Sequence, residues 1–194
     1  MIGSDRRALL AGLIGALAAS AAAADPLARR FGGPFTLTSH RGERVSDESF
    51  RGRFMLIYFG FTDCTDLCPI DVPSMMHALE ALGPAAERVQ PLFITVDPDT
   101  DTPAKLAGYV ESFGPRLTGL TGSGEEIAAV TRAYRVHRMR IVHRPDQAAV
   151  LHRQHTVDHG SLTYLMGPDG GFLTMFPHDT RAERMAEVLR RYVG

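Results

Sequence analysis

The run Phe54-Met55-Leu56-Ile57-Tyr58-Phe59 constrains the fold more than any other stretch of the chain. Six consecutive apolar residues, rich in aromatic side chains, lack the alternation of a strand with one wet face and are too few for an ordinary buried helix. They describe a strand covered on both faces, which belongs inside a sheet with helices above and below it. Pro91 to Val96 repeats that character, and between the two runs Val72, Met75, Met76, Leu79 and Leu82 recur at helical spacing. A strand, a helix and a second strand in this order imply a right-handed crossover and a parallel pair.

The remaining elements build around that unit. Phe35 to Thr38 reads as a short leading strand, and Thr102-Pro103 as a cap with proline in the first helical position, ahead of Leu106, Val110 and Phe113. Ser123-x-x-Glu126 is a capping box opening a helix through Ile127, Val130 and Tyr134. Arg132 to Arg153 is arginine- and histidine-rich with little periodicity. Ser161 to Met166 and Phe172 to Phe176 form a hairpin about Gly167-Pro168-Asp169-Gly170-Gly171, and Thr180-x-x-Glu183 caps a last helix with Met185, Val188, Leu189 and Tyr192 inward. The expected class is α/β, a central mixed sheet flanked by helices on both faces on the thioredoxin-like plan.

Composition narrows the function classes. With 194 residues, 44% hydrophobic, 22% charged and a net charge of −1, the chain suits one globular domain and lacks the basic field that holds nucleic acid. Residues 1–24 read as an export signal or N-terminal anchor: Arg6 and Arg7, an apolar stretch from Ala8 to Ala19, then small residues from Ala21 to Ala24. The anchor form would give membrane association. Residues 25–33 are a lead-in linker and 34–194 the domain. An exported, periplasmic protein works where thiols face oxidation.

The chain has two cysteines, Cys64 and Cys68, set just after the first buried strand. They are too few for a disulfide framework or an all-cysteine zinc site. Pro69 and Pro73 place the start of regular helix around residue 70, with the thiols on a loop at its N-terminus, where the helix end should lower their pKa toward neutrality. A plain disulfide closing so short a ring would contribute only about 2 kcal/mol, so a reversible pair explains the two residues better. Such a pair can exchange disulfides or, with one imidazole, bind Cu(I). His152, His155 and His159 precede the hairpin beside the cysteine loop, and the three also compose a candidate separate histidine site. Asp97-x-Asp99-x-Asp101 mimics a calcium loop, but Thr102 and Gly108 stand where glycine and glutamate are needed, so turn and cap duty is expected.

Tyr58-Phe59-Gly60-Phe61-Thr62 through Cys64-x-x-x-Cys68-Pro69, Pro91 to Pro98 with Asp101-Thr102-Pro103, and Val157-Asp158-His159 before Tyr164-Leu165-Met166-Gly167-Pro168-Asp169-Gly170 resemble the Sco/SenC family from about Gly33 to the C-terminus. The resemblance implies a thioredoxin-like domain binding copper, as Cu(I) or Cu(II), through Cys64, Cys68 and His159. Asp158 would orient the histidine from behind. It implies a copper chaperone for the dinuclear copper site of cytochrome c oxidase subunit II, with another periplasmic copper chaperone as a further partner. The alternative is a thiol-disulfide oxidoreductase with Cys64 and Cys68 as its redox pair, keeping that subunit's cysteines reduced. His137, Met139, His143, His152 and His155 exceed the family pattern and read as a solvated loop before an auxiliary copper-acquisition patch.

Overall fold

A computed structural model describes residues 31–64, 68–151 and 155–194. The expected signal or anchor at 1–24, most of the lead-in, and His152 lie outside the described residues. The elements run β1 (Thr36–Ser39), β2 (Arg44–Ser46), β3 (Phe54–Gly60), α1 (Cys68–Ala81), β4 (Val89–Thr95), α2 (Pro103–Glu111), β5 (Thr118–Thr121), α3 (Gly124–Ala133), β6 (Arg138–Val142), α4 (Pro145–Leu151), β7 (His155–His159), β8 (Leu162–Met166), β9 (Phe172–Pro177) and α5 (Ala182–Val193). No helix among the described residues is long and apolar enough to cross a membrane.

Seven strands form one mixed sheet in the order β2-β1-β5-β4-β3-β8-β9, with β3, β4 and β5 parallel and the outer strands antiparallel to their neighbours. This is the thioredoxin-like arrangement expected, and β3 lies inside it between β4 and β8. Side chains alternate across a strand, so the six-residue apolar run splits between two cores. Leu56 and Tyr58 pack with Val72, Met75 and Leu79 of α1, Leu106 of α2 and Met185 and Leu189 of α5. Met55, Ile57 and Phe59 pack on the other face with Ile127 and Val130 of α3, Tyr134 and Tyr164. Continuous hydrophobicity in β3 is thus the sum of two alternating patterns, each needing cover.

Several local expectations hold. Thr102 caps α2 by accepting from the Lys105 amide at 3.3 Å, and the Ser123/Glu126 capping box closes reciprocally at 3.2 and 2.7 Å. Others are corrected. Helix α1 begins at Cys68 instead of about residue 70, with Pro73 inside it. Arg181, not Thr180, is the N-cap of helix α5, and no side chain caps it; the Thr180 hydroxyl instead donates to the Pro177 carbonyl at 2.7 Å. Tyr192 consequently faces solvent, while Ala186 and Val193 join Met185 and Leu189 in the core.

The largest difference is in the arginine- and histidine-rich stretch, where β6 pairs with β7 in a separate two-stranded ribbon. Its register sets Arg138 opposite His159 and Met139 opposite Asp158. Opposed residues share a face, so Arg138, Arg140, Val157 and His159 line one side, and Met139, Ile141, Thr156 and Asp158 the other. Met139 and Ile141 are exposed, whereas Val157 and His159 are buried. Strand β6 therefore inverts the usual pattern, directing arginines toward the body and apolar side chains to solvent.

Candidate metal centre

Cys64 lies in the turn leaving β3, its amide donating to the Phe61 carbonyl at 3.1 Å, and Cys68 opens α1. The Cys68 amide points at the Cys64 sulfur, 3.5 Å away. The two cysteines are not joined in a disulfide; Cys64 is half-buried and Cys68 buried. Gly60, the last residue of β3, permits this placement. A Cβ there would stand 2.7 Å from the Cys68 sulfur, 2.9 Å from the Tyr58 ring and 3.0 Å from the Phe93 ring.

His159 ends β7 and is 6% exposed. Its Nδ1 meets the Gly160 carbonyl at 3.1 Å, and its ring is met edgewise by Phe61 at 5.8 Å. A nitrogen facing a carbonyl must carry hydrogen, which leaves the lone pair of the neutral ring on Nε2. That Nε2 is buried and has no hydrogen-bond partner. Such a nitrogen wants a ligand. One ligand atom from each of Cys64, Cys68 and His159 lies within 4.8 Å of the other two, and these residues are the one such His/Cys/Asp/Glu group among the described residues. Three ligands spaced in a plane around an ion at bond lengths of about 2.0–2.3 Å stand roughly 3.5–4 Å apart. The donor atoms therefore need to close by at most about an ångström.

Other predicted residues fall elsewhere. Asp158 faces away from the site, as the period of two requires of a residue adjacent to His159, and its carboxylate lies 3.5 Å from His137. The orienting role expected of Asp158 is taken by the Gly160 carbonyl. His155 is not a companion ligand: its Nε2 meets both oxygens of the buried Asp97 at 2.9 Å. Asp99 accepts from Arg140 at 2.9 Å. Asp101 accepts from the Thr62 amide at 3.0 Å and from the Thr62 and Thr95 hydroxyls at 2.6 Å each. Burial raises the Asp101 carboxyl above the usual carboxylate range against the opposing pull of these bonds. The three aspartates serve as ties, two to the ribbon and one to the cysteine loop, consistent with the turn duty expected of them.

The environment of Cys68 reverses one expectation. Its thiol is pushed far up, first by its hydrogen bond with Cys64 and then by burial. The sulfur is tucked over Gly60 in the core instead of lying open at the helix mouth, so loss of solvent overrides the helix end. Tyr58 is wholly buried in the same core as Cys68. Its hydroxyl is 3.1 Å from the Ser161 hydroxyl, which donates to Asp71. Asp71 further accepts from the Asp179 amide at 3.0 Å and meets His178 Nδ1 at 3.0 Å. Sequence reasoning missed Ser161, Asp71 and His178 because they stand on three distant elements and belong to no local motif.

The fold and these groups define a thioredoxin-like protein with a dithiol at the sheet edge and an imidazole lone pair directed to the same place. The SCO1/SenC family model matches residues 23–194, and the chain belongs to that family. It is 42% identical over 164 residues to the mitochondrial SCO2 homolog of Bos taurus and 40% identical over 164 residues to the mitochondrial SCO1 homolog of Homo sapiens. These matches cover 84% of this chain but 59% and 52% of the relatives, so the chain spans little more than half their length. The structure of Bradyrhizobium japonicum ScoI with copper bound is similar at a TM-score of 0.74 and 40% identity, over 84% of this chain and 99% of that one.

Proposed function

We propose that the protein is a copper chaperone that holds Cu(I) on Cys64, Cys68 and His159 and delivers it to the dinuclear copper site of cytochrome c oxidase subunit II. The observation that carries this reading is the convergence of two thiols and a buried, unpartnered imidazole nitrogen within 4.8 Å. Two soft sulfurs and one nitrogen suit Cu(I), which accepts three ligands where zinc takes four. Copper replaces the thiol hydrogens, and the raised Cys68 pKa makes that exchange cost more at low pH. Half-exposed Cys64 is the sulfur an incoming partner thiolate reaches first, so transfer proceeds by adding one ligand before another leaves. The same reading assigns residues 1–24 to export or anchoring, 25–33 to a linker and 34–194 to a periplasmic copper-binding domain, with another periplasmic copper chaperone as the donor.

Copper stoichiometry and competition with a chelator, under anaerobic reducing conditions, test it. The unaltered chain takes up one Cu(I). His159→Ala weakens binding by more than the roughly 10–100-fold that losing a ligand's partner costs, and Cys64→Ser and Cys68→Ser abolish retention. Unchanged affinity in His159→Ala would remove the three-ligand site. A second reading, thiol-disulfide exchange, is favoured by the contact between Cys64 and Cys68, which are not joined in a disulfide; it requires turnover of the partner's disulfide without copper, undiminished by His159→Ala.

A further inference from the structure

The Cys64 amide closes a turn on the Phe61 carbonyl at 3.1 Å, with Thr62 and Asp63 at its two central positions. The ends of this turn both belong to the site: Phe61 meets the His159 ring edgewise, and Cys64 brings the half-buried sulfur. Its two central residues are held from outside. Asp101, just ahead of α2, accepts from the Thr62 amide at 3.0 Å and from the Thr62 hydroxyl at 2.6 Å. Lys105 of α2 reaches the Asp63 carboxylate at 2.8 Å. The Thr95 hydroxyl, at the end of β4, donates to Asp101 at 2.6 Å and so fastens this clamp to the sheet.

Such an arrangement is costly to build. Asp101 is almost wholly buried, and a carboxyl group so placed gives up its water and needs donors in return. Two of the three hydrogen bonds it receives come from Thr62, which stands two positions before Cys64. Cys68 is seated within the core, whereas Cys64 stands on the turn and packs against the edge of that core. We propose that Asp101 is a positioning residue for Cys64: through Thr62 it fixes the turn that keeps the Cys64 sulfur within reach of Cys68 and His159. Lys105 supports the same turn through Asp63, in a partly exposed pair that solvent weakens. The consequence for copper rests on the reading of Cys64 as a ligand; the placement of the sulfur does not.

Initial rates of alkylation in the reduced, metal-free full chain, with the label localised by fragment mass spectrometry, read the two sulfurs separately. Asp101→Ala takes the acceptor from Thr62 and frees the turn; the Cys64 rate rises about tenfold while the Cys68 rate is unchanged. Asp101→Asn brings Cys64 back to within about twofold of the original, because its oxygen still accepts from the Thr62 amide and its N–H meets the Thr62 hydroxyl, which turns to accept. Thr62→Val keeps the branched side chain and the amide bond, gives a smaller rise of about threefold, and serves as the test if Asp101→Ala does not fold. Cu(I) binding, by chelator competition under anaerobic reducing conditions, follows the same order: weaker by about 10–100-fold in Asp101→Ala and recovered in Asp101→Asn. A role confined to stability would expose both sulfurs together, so equal acceleration of Cys64 and Cys68 overturns the proposal. An unchanged Cys64 rate in Asp101→Ala, or in Thr62→Val where that variant stands in, overturns it too. Undiminished copper affinity beside a loosened Cys64 removes the positioning role toward the metal. If the unaltered chain binds no Cu(I) while the alkylation pattern holds, the ligand reading falls and the clamp on Cys64 stands.

Discussion

Cys68 and His159 approach the same point from two regions held by opposite means. The cysteine side is made by apolar packing: Cys68 is 1% exposed within the core that unites Leu56 and Tyr58 of β3, Val72 of α1 and Phe93 of β4. The histidine side is a ribbon outside the main sheet, and polar links tie it down. Arg138 donates to the Val96 carbonyl, His155 meets Asp97 and Arg140 meets Asp99, all three on the loop after β4. Packing is collective, with many small contacts that fail together. Polar ties are few, so each can fail alone and release one segment. A three-ligand site whose donors close by up to about an ångström is well served by one fixed arm and one that can swing.

The comparison breaks most directly at His155. Removing the imidazole leaves Asp97, which is 4% exposed, without that hydrogen-bond partner, and orphaning a buried acceptor costs about 1–3 kcal/mol, more for a charged one. Because the tie is local, the expected result is confined. In His155→Ala, amide exchange in β6 and β7 speeds up by roughly a hundredfold or more, while β3 and β4 keep their protection. Hydrogen exchange by mass spectrometry reads both regions in one experiment. Equal acceleration in β3 would show that the ribbon and the core open as one unit, and the contrast between the two arms would be lost.

Gly60→Ala probes the other arm. The new methyl would sit under 3 Å from both the Cys68 sulfur and the Tyr58 ring, and strand backbone leaves it no way out. Overpacking of this kind costs about 1–3 kcal/mol. Since the sulfur is among the atoms displaced, copper affinity falls as well, and urea denaturation with chelator competition records the two losses together. Loss of stability with affinity intact would mean that Phe93 and Tyr58 yield and the sulfur does not.

The same contrast explains which parts were legible in the sequence. Where packing builds the molecule, hydrophobic pattern reports it: β3, β4 and the inner face of α1 were readable from runs and spacing, and Cys64 and Cys68 from their place after β3. Where polar ties build it, pattern misleads. Strand β6 turns Arg138 toward the body and Met139 outward, so its alternation carries the wrong sign, and β7 went unread with it. Among His152, His155 and His159, spacing alone leaves the ligand open; the family resemblance singled out His159, and the structure shows why His155 is engaged elsewhere, on Asp97. The Asp158 expectation failed for an elementary reason, that neighbours on a strand face opposite ways. Ser161, Asp71 and His178 come together only through tertiary folding, and no local signal marks them.

Burial, not charge, should decide whether a polar tie matters, and the far edge of the sheet offers the control. Arg44 of β2 reaches Glu126 of α3 at 2.5 Å, a shorter contact than the 2.9 Å between His155 and Asp97, yet the Arg44 side chain is half exposed. The Glu126 carboxyl is held below its ordinary value, first by the Arg44 hydrogen bond and then by the Ser123 amide. A carboxyl depressed by folding contributes stability above its unfolded pKa and loses it as pH falls through the folded value. Arg44→Ala should therefore cost only a little stability near neutral pH, since solvent screens the pair and the Ser123 cap survives, and that small loss should vanish as pH falls through the folded value. Acid titration followed by circular dichroism measures this. A loss at neutral pH as large as that of His155→Ala would show that short contact distance, not exclusion of water, sets the strength of these ties, and the fixed and swinging arms would then have to be explained by geometry alone.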